Sequence, residues 1–174
     1  IKQLFNEKLG KALAEKKTAI YMKSLVKNSK VFSDYFASLV VIRGMSKDLA
    51  YRQSQIYEQK IREFKDCFYS DCYAILMTKG RTTEKQASKM AELYSAEMKR
   101  TSKDYGAIYY IRLMMDKGLS EESARKQTDI YLKSIEKTKD HQYSYYYAEL
   151  KMNNHEMTEE EIRLRSKAYA EKMK

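Results

Sequence analysis

Proline and tryptophan are absent from this 174-residue chain, and glycine (5), cysteine (2) and histidine (2) are scarce. Without proline, an all-β or loop-rich fold is disfavoured, because turns and strand edges are where proline collects. Collagen-like, proline-rich and Gly/Ser-linker classes are excluded for the same compositional reason. No glycine-rich phosphate loop is present, since nothing matches G-x-x-x-x-G-K-[ST] or G-x-G-x-x-G. Long apolar runs are missing too. The run Phe36–Ile42 is far shorter than the roughly 18–20 residues that span a bilayer, so no transmembrane helix is expected. Nor is a signal peptide visible, although a chain starting at Ile1 leaves room for a removed leader or for earlier repeats.

Cys67 and Cys72 are the only cysteines. On one regular helix their Cα atoms stand beyond the roughly 7 Å that a disulfide can bridge, so two free thiols are expected and the redox compartment stays open. His141 and His155 have no cysteine or carboxylate at ligand spacing, so no metal site is expected. The acidic residues that can be placed, Glu84, Glu121, Glu159 and Glu160, fall at helix starts and serve as dipole partners. No nucleophile motif surrounds either cysteine. The expectation is therefore a chain that is not an enzyme and needs no cofactor.

What is abundant is charge, apolar surface and tyrosine. The chain has 43% apolar and 33% charged residues, 16 tyrosines and a formal net charge of +10. That balance suits amphipathic helices, and an all-α fold is expected. The positive charge favours anionic partners: nucleic acid, acidic proteins or anionic lipid.

Self-similarity gives the organisation. Phe36, Leu39, Gly44, Ser46, Ala50, Ile56 and Tyr57 recur as Tyr73, Leu76, Gly80, Thr83, Ala87, Leu93 and Tyr94. They recur again as Tyr110, Leu113, Gly118, Ser120, Ala124, Ile130 and Tyr131, and then as Tyr147, Leu150, Thr158, Ile162 and Tyr169. Tyr57, Tyr94 and Tyr131 are 37 residues apart, and Tyr169 follows after 38. A single helical-repeat domain over 1–174 is expected, with a partial unit at 1–33 and repeats at 34–70, 71–107, 108–144 and 145–174.

Each unit reads as two helices. Arg43 with Gly44, Lys79 with Gly80 and Lys117 with Gly118 end the first, and Ser46, Thr83, Ser120 or Thr158 cap the second. In the second helix Ala50, Ser54, Tyr57 and Ile61 lie at i, i+4, i+7, i+11, as do Ala87, Ala91, Tyr94 and Met98, forming a packing face. The polar segments 99–104 and 137–140 are expected to be turns, with Thr101, Ser102 and Asp104 as N-cap choices, which makes an array of helical hairpins. Were they helical, an up-and-down bundle of long rods would result. The two-helix unit resembles tetratricopeptide-type arrays in architecture. That family's 34-residue repeat carries tryptophan and proline positions this chain lacks, so no family membership follows.

The tyrosines form two columns. Tyr57, Tyr94, Tyr131 and Tyr169 complete the packing face. Tyr35, Tyr109 and Tyr146, interrupted by Cys72, sit one residue before the first-helix packing column, about 100° around the helix. They either form a half-exposed recognition edge or pack against neighbouring repeats. With Arg112 and Asp116 as rim contacts, they are the predicted partner-binding residues. Basic residues do not follow the repeat: Lys99 aligns with Arg62 but also Glu136, and Arg100 with Lys137 but also Glu63. A nucleic-acid interface is thereby disfavoured. The expected function is an interaction or scaffold module for a protein partner, an acidic one by charge. A basic nucleic-acid binder, or a self-associating subunit of a larger assembly, is the alternative.

Overall fold

The computed structural model describes residues 2–80, 82–154 and 156–173, with side chains from Gly10 onward. His155 therefore lies outside the described residues. All the described elements are α-helices: α1 (Lys2–Leu25), α2 (Lys30–Val41), α3 (Lys47–Phe64), α4 (Cys67–Lys79), α5 (Glu84–Thr101), α6 (Asp104–Met115), α7 (Glu121–Thr138), α8 (His141–Asn153) and α9 (Glu159–Lys172). The chain divides within α5 into two compact units, Ile1–Ser95 and Ala96–Lys174. In the first, α1, α2, α3 and α4 pack in succession; in the second, α6, α7, α8 and α9 do so.

Local chemistry sets the boundaries. Ser46, Ser120 and Thr158 accept hydrogen bonds from the amides of Leu49, Ser123 and Glu161, and Glu161 returns the bond to Thr158 in a capping box. Gly44, Gly80 and Gly118 all take φ +64°, the left-handed turn that a Cβ would strain. The polar segments do interrupt the helices, but the turns are shorter than expected, 102–103 and 139–140 alone: Lys99, Arg100 and Thr101 end α5, Asp104 begins α6, and Lys137 and Thr138 end α7. Lys65, Ser102 and Lys139, themselves 37 residues apart, occupy the left-handed region at φ 55°, 54° and 56°. Such a conformation costs a non-glycine residue roughly 1 kcal/mol or more. It is held by amide bonds back into the preceding helix, to the carbonyls of Ile61, Met98 and Ile135 at 3.1, 2.8 and 2.9 Å.

The N-caps after these turns correct the sequence expectation. α6 is capped by Lys103, whose side chain makes no capping hydrogen bond, rather than by Thr101, Ser102 or Asp104. Ser102 instead supplies the turn, and the Thr101 hydroxyl accepts from the Lys103 amide at 3.3 Å. Asp66 and Asp140 cap α4 and α8 through the amides of Tyr69 and Tyr143.

The small-residue positions of the predicted packing face lie in the core with Tyr131 and Ile135, whereas Tyr57, Tyr94 and Tyr169, and with them Ile61 and Met98, are half-buried because they stand at its margin. Ala50, Ala87, Ala91 and Ala124 are fully buried, with Ser54 and Thr128 beside them in the same small-residue positions. Both hydroxyls are satisfied within their own helix, on the carbonyls of Ala50 (2.7 Å) and Ala124 (2.8 Å), so burial leaves no orphan polar atom. Small residues let helices approach closely, and the rings of Tyr69 and Tyr73 in the first unit and Tyr109, Tyr110 and Tyr131 in the second fill the flanks. Cys67 and Cys72 both stand on α4 and are not joined in a disulfide, in keeping with their spacing.

Candidate functional site

On α6, Tyr105, Ile108, Tyr109 and Arg112 fall at i, i+3, i+4, i+7 and share one face. α7 brings Tyr131 beneath that face, and α8 brings His141, Gln142 and Tyr145 to its side. Together they line a recess of about 210 Å³ inside the second unit. That is below the roughly 300–1,000 Å³ of ordinary small-ligand pockets and suits a single inserted side chain.

The floor is rigid. Tyr109 stacks on Tyr131 at 4.3 Å between ring centroids and meets Tyr145 edge-on at 5.3 Å. Tyr105 stands edge-on to His141 at 5.5 Å. Two polar bonds lock these rings: Gln127 Nε2 donates to the Tyr109 hydroxyl at 2.8 Å, and the Tyr131 hydroxyl pairs with His141 Nδ1 at 2.8 Å. Lys117 Nζ sits 5.5 Å from the Tyr145 ring centroid and pairs with Glu149 at 2.7 Å. Burial pushes the phenol of Tyr109 well above its usual range, with the Gln127 bond pulling the other way, and burial first and the nearby Tyr105 second push Tyr131 up to about 12. Both rings are thus neutral near pH 7, and Arg112 is the cation of the recess. It is exposed at the rim, beside Ile108 at 50% exposure.

The predicted residues are only partly brought together. Tyr109 and Arg112 meet in the recess. Tyr109, however, is 4% exposed, so it forms the floor rather than the half-exposed edge expected for its column. One helical step did turn it away from the packing column, but the ring of Tyr131 on the next helix stacks over it. The same stacking recurs between Tyr35 and Tyr57 at 3.9 Å and between Tyr146 and Tyr169 at 4.4 Å, so the two tyrosine columns pair in the three repeats that carry both; the remaining one has Cys72 in place of the first tyrosine. Tyr35 and Tyr146 are half-buried and lie outside the recess. Asp116 is exposed at the C-terminal end of α6, where its amide bonds to the Arg112 carbonyl. Sequence reasoning missed Tyr105, Ile108, His141, Gln142 and Tyr145. The α6 face was legible from its spacing; the closing residues of α8 depend on the helix pairing.

Among the described residues, no group of three or more His, Cys, Asp or Glu is placed to hold a metal ion, and no helix is long and apolar enough to cross a membrane. Within each unit the described fold is all-α, with helices that pack in chain order and tyrosine clusters at repeating positions. Compared with known proteins, the chain matches no family model, no curated protein and no solved structure.

Proposed function

We propose that this chain is a non-enzymatic helical-repeat interaction module that binds a protein partner, with the α6–α8 recess as its anchor point. The observation that carries this reading is a recess of one-side-chain size whose tyrosine floor is already fixed by Gln127 and His141 while Ile108 and Arg112 stand free at its rim. Rings that are ordered before binding lose little freedom on binding, which is how a small contact comes to contribute disproportionately. The chemistry offered is an aromatic floor with one guanidinium. It suits an aromatic or aliphatic side chain flanked by a carboxylate, in keeping with a basic chain that meets an acidic partner.

Arg112→Glu and Ile108→Asp change exposed residues and should leave the helical circular dichroism unaltered. In affinity capture from the native source, a partner held by the wild-type chain is expected to be lost, by tenfold or more, from both variants. Nuclease treatment and high-salt washing separate this from nucleic-acid capture. Retention of every captured protein by both variants would overturn the reading, and so would capture of nucleic acid alone.

A further inference from the structure

A second opening in the same unit lies between α7, α8 and α9, and its origin is visible by comparing positions two repeats apart. Tyr69 and Tyr73 on α4 stack at 5.9 Å and 15°; Tyr143 and Tyr147 on α8, 74 residues later, stack at 5.9 Å and 14°. The tyrosine pair, its N-capping aspartate (Asp66, Asp140) and the carboxylate bonded by its second hydroxyl (Glu84, Glu159) are the same, but six surrounding places differ.

Around the first pair the space is filled and neutralised. Phe64 packs on Tyr69 at 4.4 Å, Lys60 lies over the rings of Phe64 and Tyr73 at 5.4 and 4.9 Å, and Lys60 pairs with Glu63 at 2.9 Å. The Tyr69 hydroxyl is bonded to Ser88 at 2.8 Å. At the matching places around the second pair, Phe64 is replaced by Thr138, Lys60 by Ser134, Glu63 by Lys137, Gln59 by Lys133, Met77 by Lys151 and Ser88 by Arg163. Bulk is lost at Ser134 and Thr138, and positive charge is gained at Lys133, Lys137, Lys151 and Arg163. The result is a groove of about 390 Å³ lined by Lys133, Lys137, Tyr143, Tyr147, Lys151 and Arg163, among others.

Its charges are unbalanced. Lys151 and Arg163 share one carboxylate, Glu159, which also accepts from the Tyr147 hydroxyl at 2.5 Å. Lys133 and Lys137, one turn apart on α7, make no ion pair among the described residues. Four cations against one carboxylate leave three positive charges around a recess whose volume falls within the small-ligand range. The Tyr143 hydroxyl, unlike that of Tyr69, has no protein partner among the described residues and remains a donor.

We propose that this groove is a binding site for a small, multiply charged phosphate ester or polyphosphate. Lys133, Lys137, Lys151 and Arg163 hold its phosphate oxygens, and Tyr143 and Tyr147 form one wall. Three net charges match a chain of two or three phosphoryl groups, and the wall of rings favours a ligand carrying a base or another flat group over the bare anion.

Inorganic tripolyphosphate and ATP are the probes, titrated calorimetrically at low and at physiological salt, with a single-stranded oligonucleotide as a third arm. Wild-type protein is expected to bind both small probes, ATP the more tightly. Lys133→Ala with Lys137→Ala should weaken both by tenfold or more. Removing the same charge from exposed sites in the first unit, with Lys16→Ala and Lys47→Ala, should change them by less than twofold. Thr138→Phe keeps every charge and restores the filling seen in the first unit; it should weaken ATP at least fivefold. Circular dichroism verifies that each variant is folded. Equal loss in the two double-lysine variants would make the effect one of net charge and overturn the site. Undiminished ATP binding by folded Thr138→Phe, absence of tripolyphosphate binding, or binding of the oligonucleotide alone would overturn it too. Partner capture through Arg112 is read independently, so either assignment can fail without the other.

Discussion

In the unit Ile1–Ser95, the Tyr35 hydroxyl accepts from Gln53 at 2.8 Å and donates to Asp71, and Arg43 pairs with Asp71 at 3.2 Å. In Ala96–Lys174, Tyr109 accepts the same bond from Gln127 at the same distance, but the place of Asp71 is taken by Tyr145 and that of Arg43 by Lys117. The tyrosine on the preceding helix and the glutamine on the following one form a shared frame. What meets that frame differs: a carboxylate and a guanidinium in one unit, an aromatic edge under a lysine in the other. The neighbouring places follow suit, with Asp34 matched by Ile108, Ser38 by Arg112 and Cys67 by His141. Acidic character in one unit has become basic and aromatic in the other. Repetition builds the scaffold, and departures from it at two-repeat spacing build the surfaces that can discriminate.

Truncating the shared tyrosine should separate the frame from what meets it. Tyr109→Ala empties a fully packed place and leaves the buried Gln127 amide without its partner, at an expected cost of about 3–5 kcal/mol in urea unfolding. Tyr35→Ala removes a half-buried ring while Arg43 and Asp71 still hold each other, and should cost about 1 kcal/mol less. Equal losses would mean that the ion pair of the first unit depends on the tyrosine as strongly as the aromatic cluster of the second does.

The next contrast is between buried and exposed phenols, and pH reads it. Tyr131 and Tyr147 are each raised from 10.0 to about 12, both chiefly by burial; for Tyr147 the bond to Glu159 follows. Tyr35 is raised further still by burial and then by Asp71. A folded value above the unfolded one gives stability that is fully present below the unfolded value. It is lost as pH rises through the folded value, because the unfolded chain releases the proton first. Between pH 10 and 12 the protein should therefore lose stability. Absorbance at about 295 nm should show phenolate forming in more than one step, with Tyr131 and Tyr147 lagging or ionising together with the loss of the helical signal. Ionisation of all the tyrosines in one step near 10, with the helices intact, would contradict the burial pattern.

Much of the scaffold was legible because repetition multiplies weak signals. One Ser before an apolar run is a poor helix-start marker; Ser46, Thr83, Ser120 and Thr158 in phase are a strong one. The glycine ends were equally plain. Ser102 was not, since a serine in the left-handed region looks in sequence like an N-cap. Tyr109 departed from the half-exposed edge expected of its column for a related reason. Helical spacing gives the angle between Tyr109 and Tyr110 on one helix, but it carries no information about which ring of α7 comes over them. Tyr109 and Tyr131 are buried because they meet each other, and the free surface is set by the places where two-repeat partners differ.

The smallest expected effect concerns two glycines, one in each unit. Gly10 lies in the interior of α1, and a Cβ there would meet nothing within 4 Å. Gly106 stands in the first turn of α6, where the matching repeat positions are Phe32, Tyr69 and Tyr143, and a Cβ there would come within 2.9 Å of Leu132 Cδ2. Alanine is preferred to glycine in a helix interior by about 1 kcal/mol, because the glycine backbone loses more freedom on folding. Gly10→Ala should therefore raise stability by close to that amount. Gly106→Ala gains less, being in the first turn, and must also push back the end of the Leu132 side chain, so its net change should lie within about 0.5 kcal/mol of zero. Thermal unfolding of the two variants side by side reads the difference. A gain at Gly106 as large as at Gly10 would show that Leu132 yields freely and that the close approach of α6 to α7 does not depend on the missing side chain.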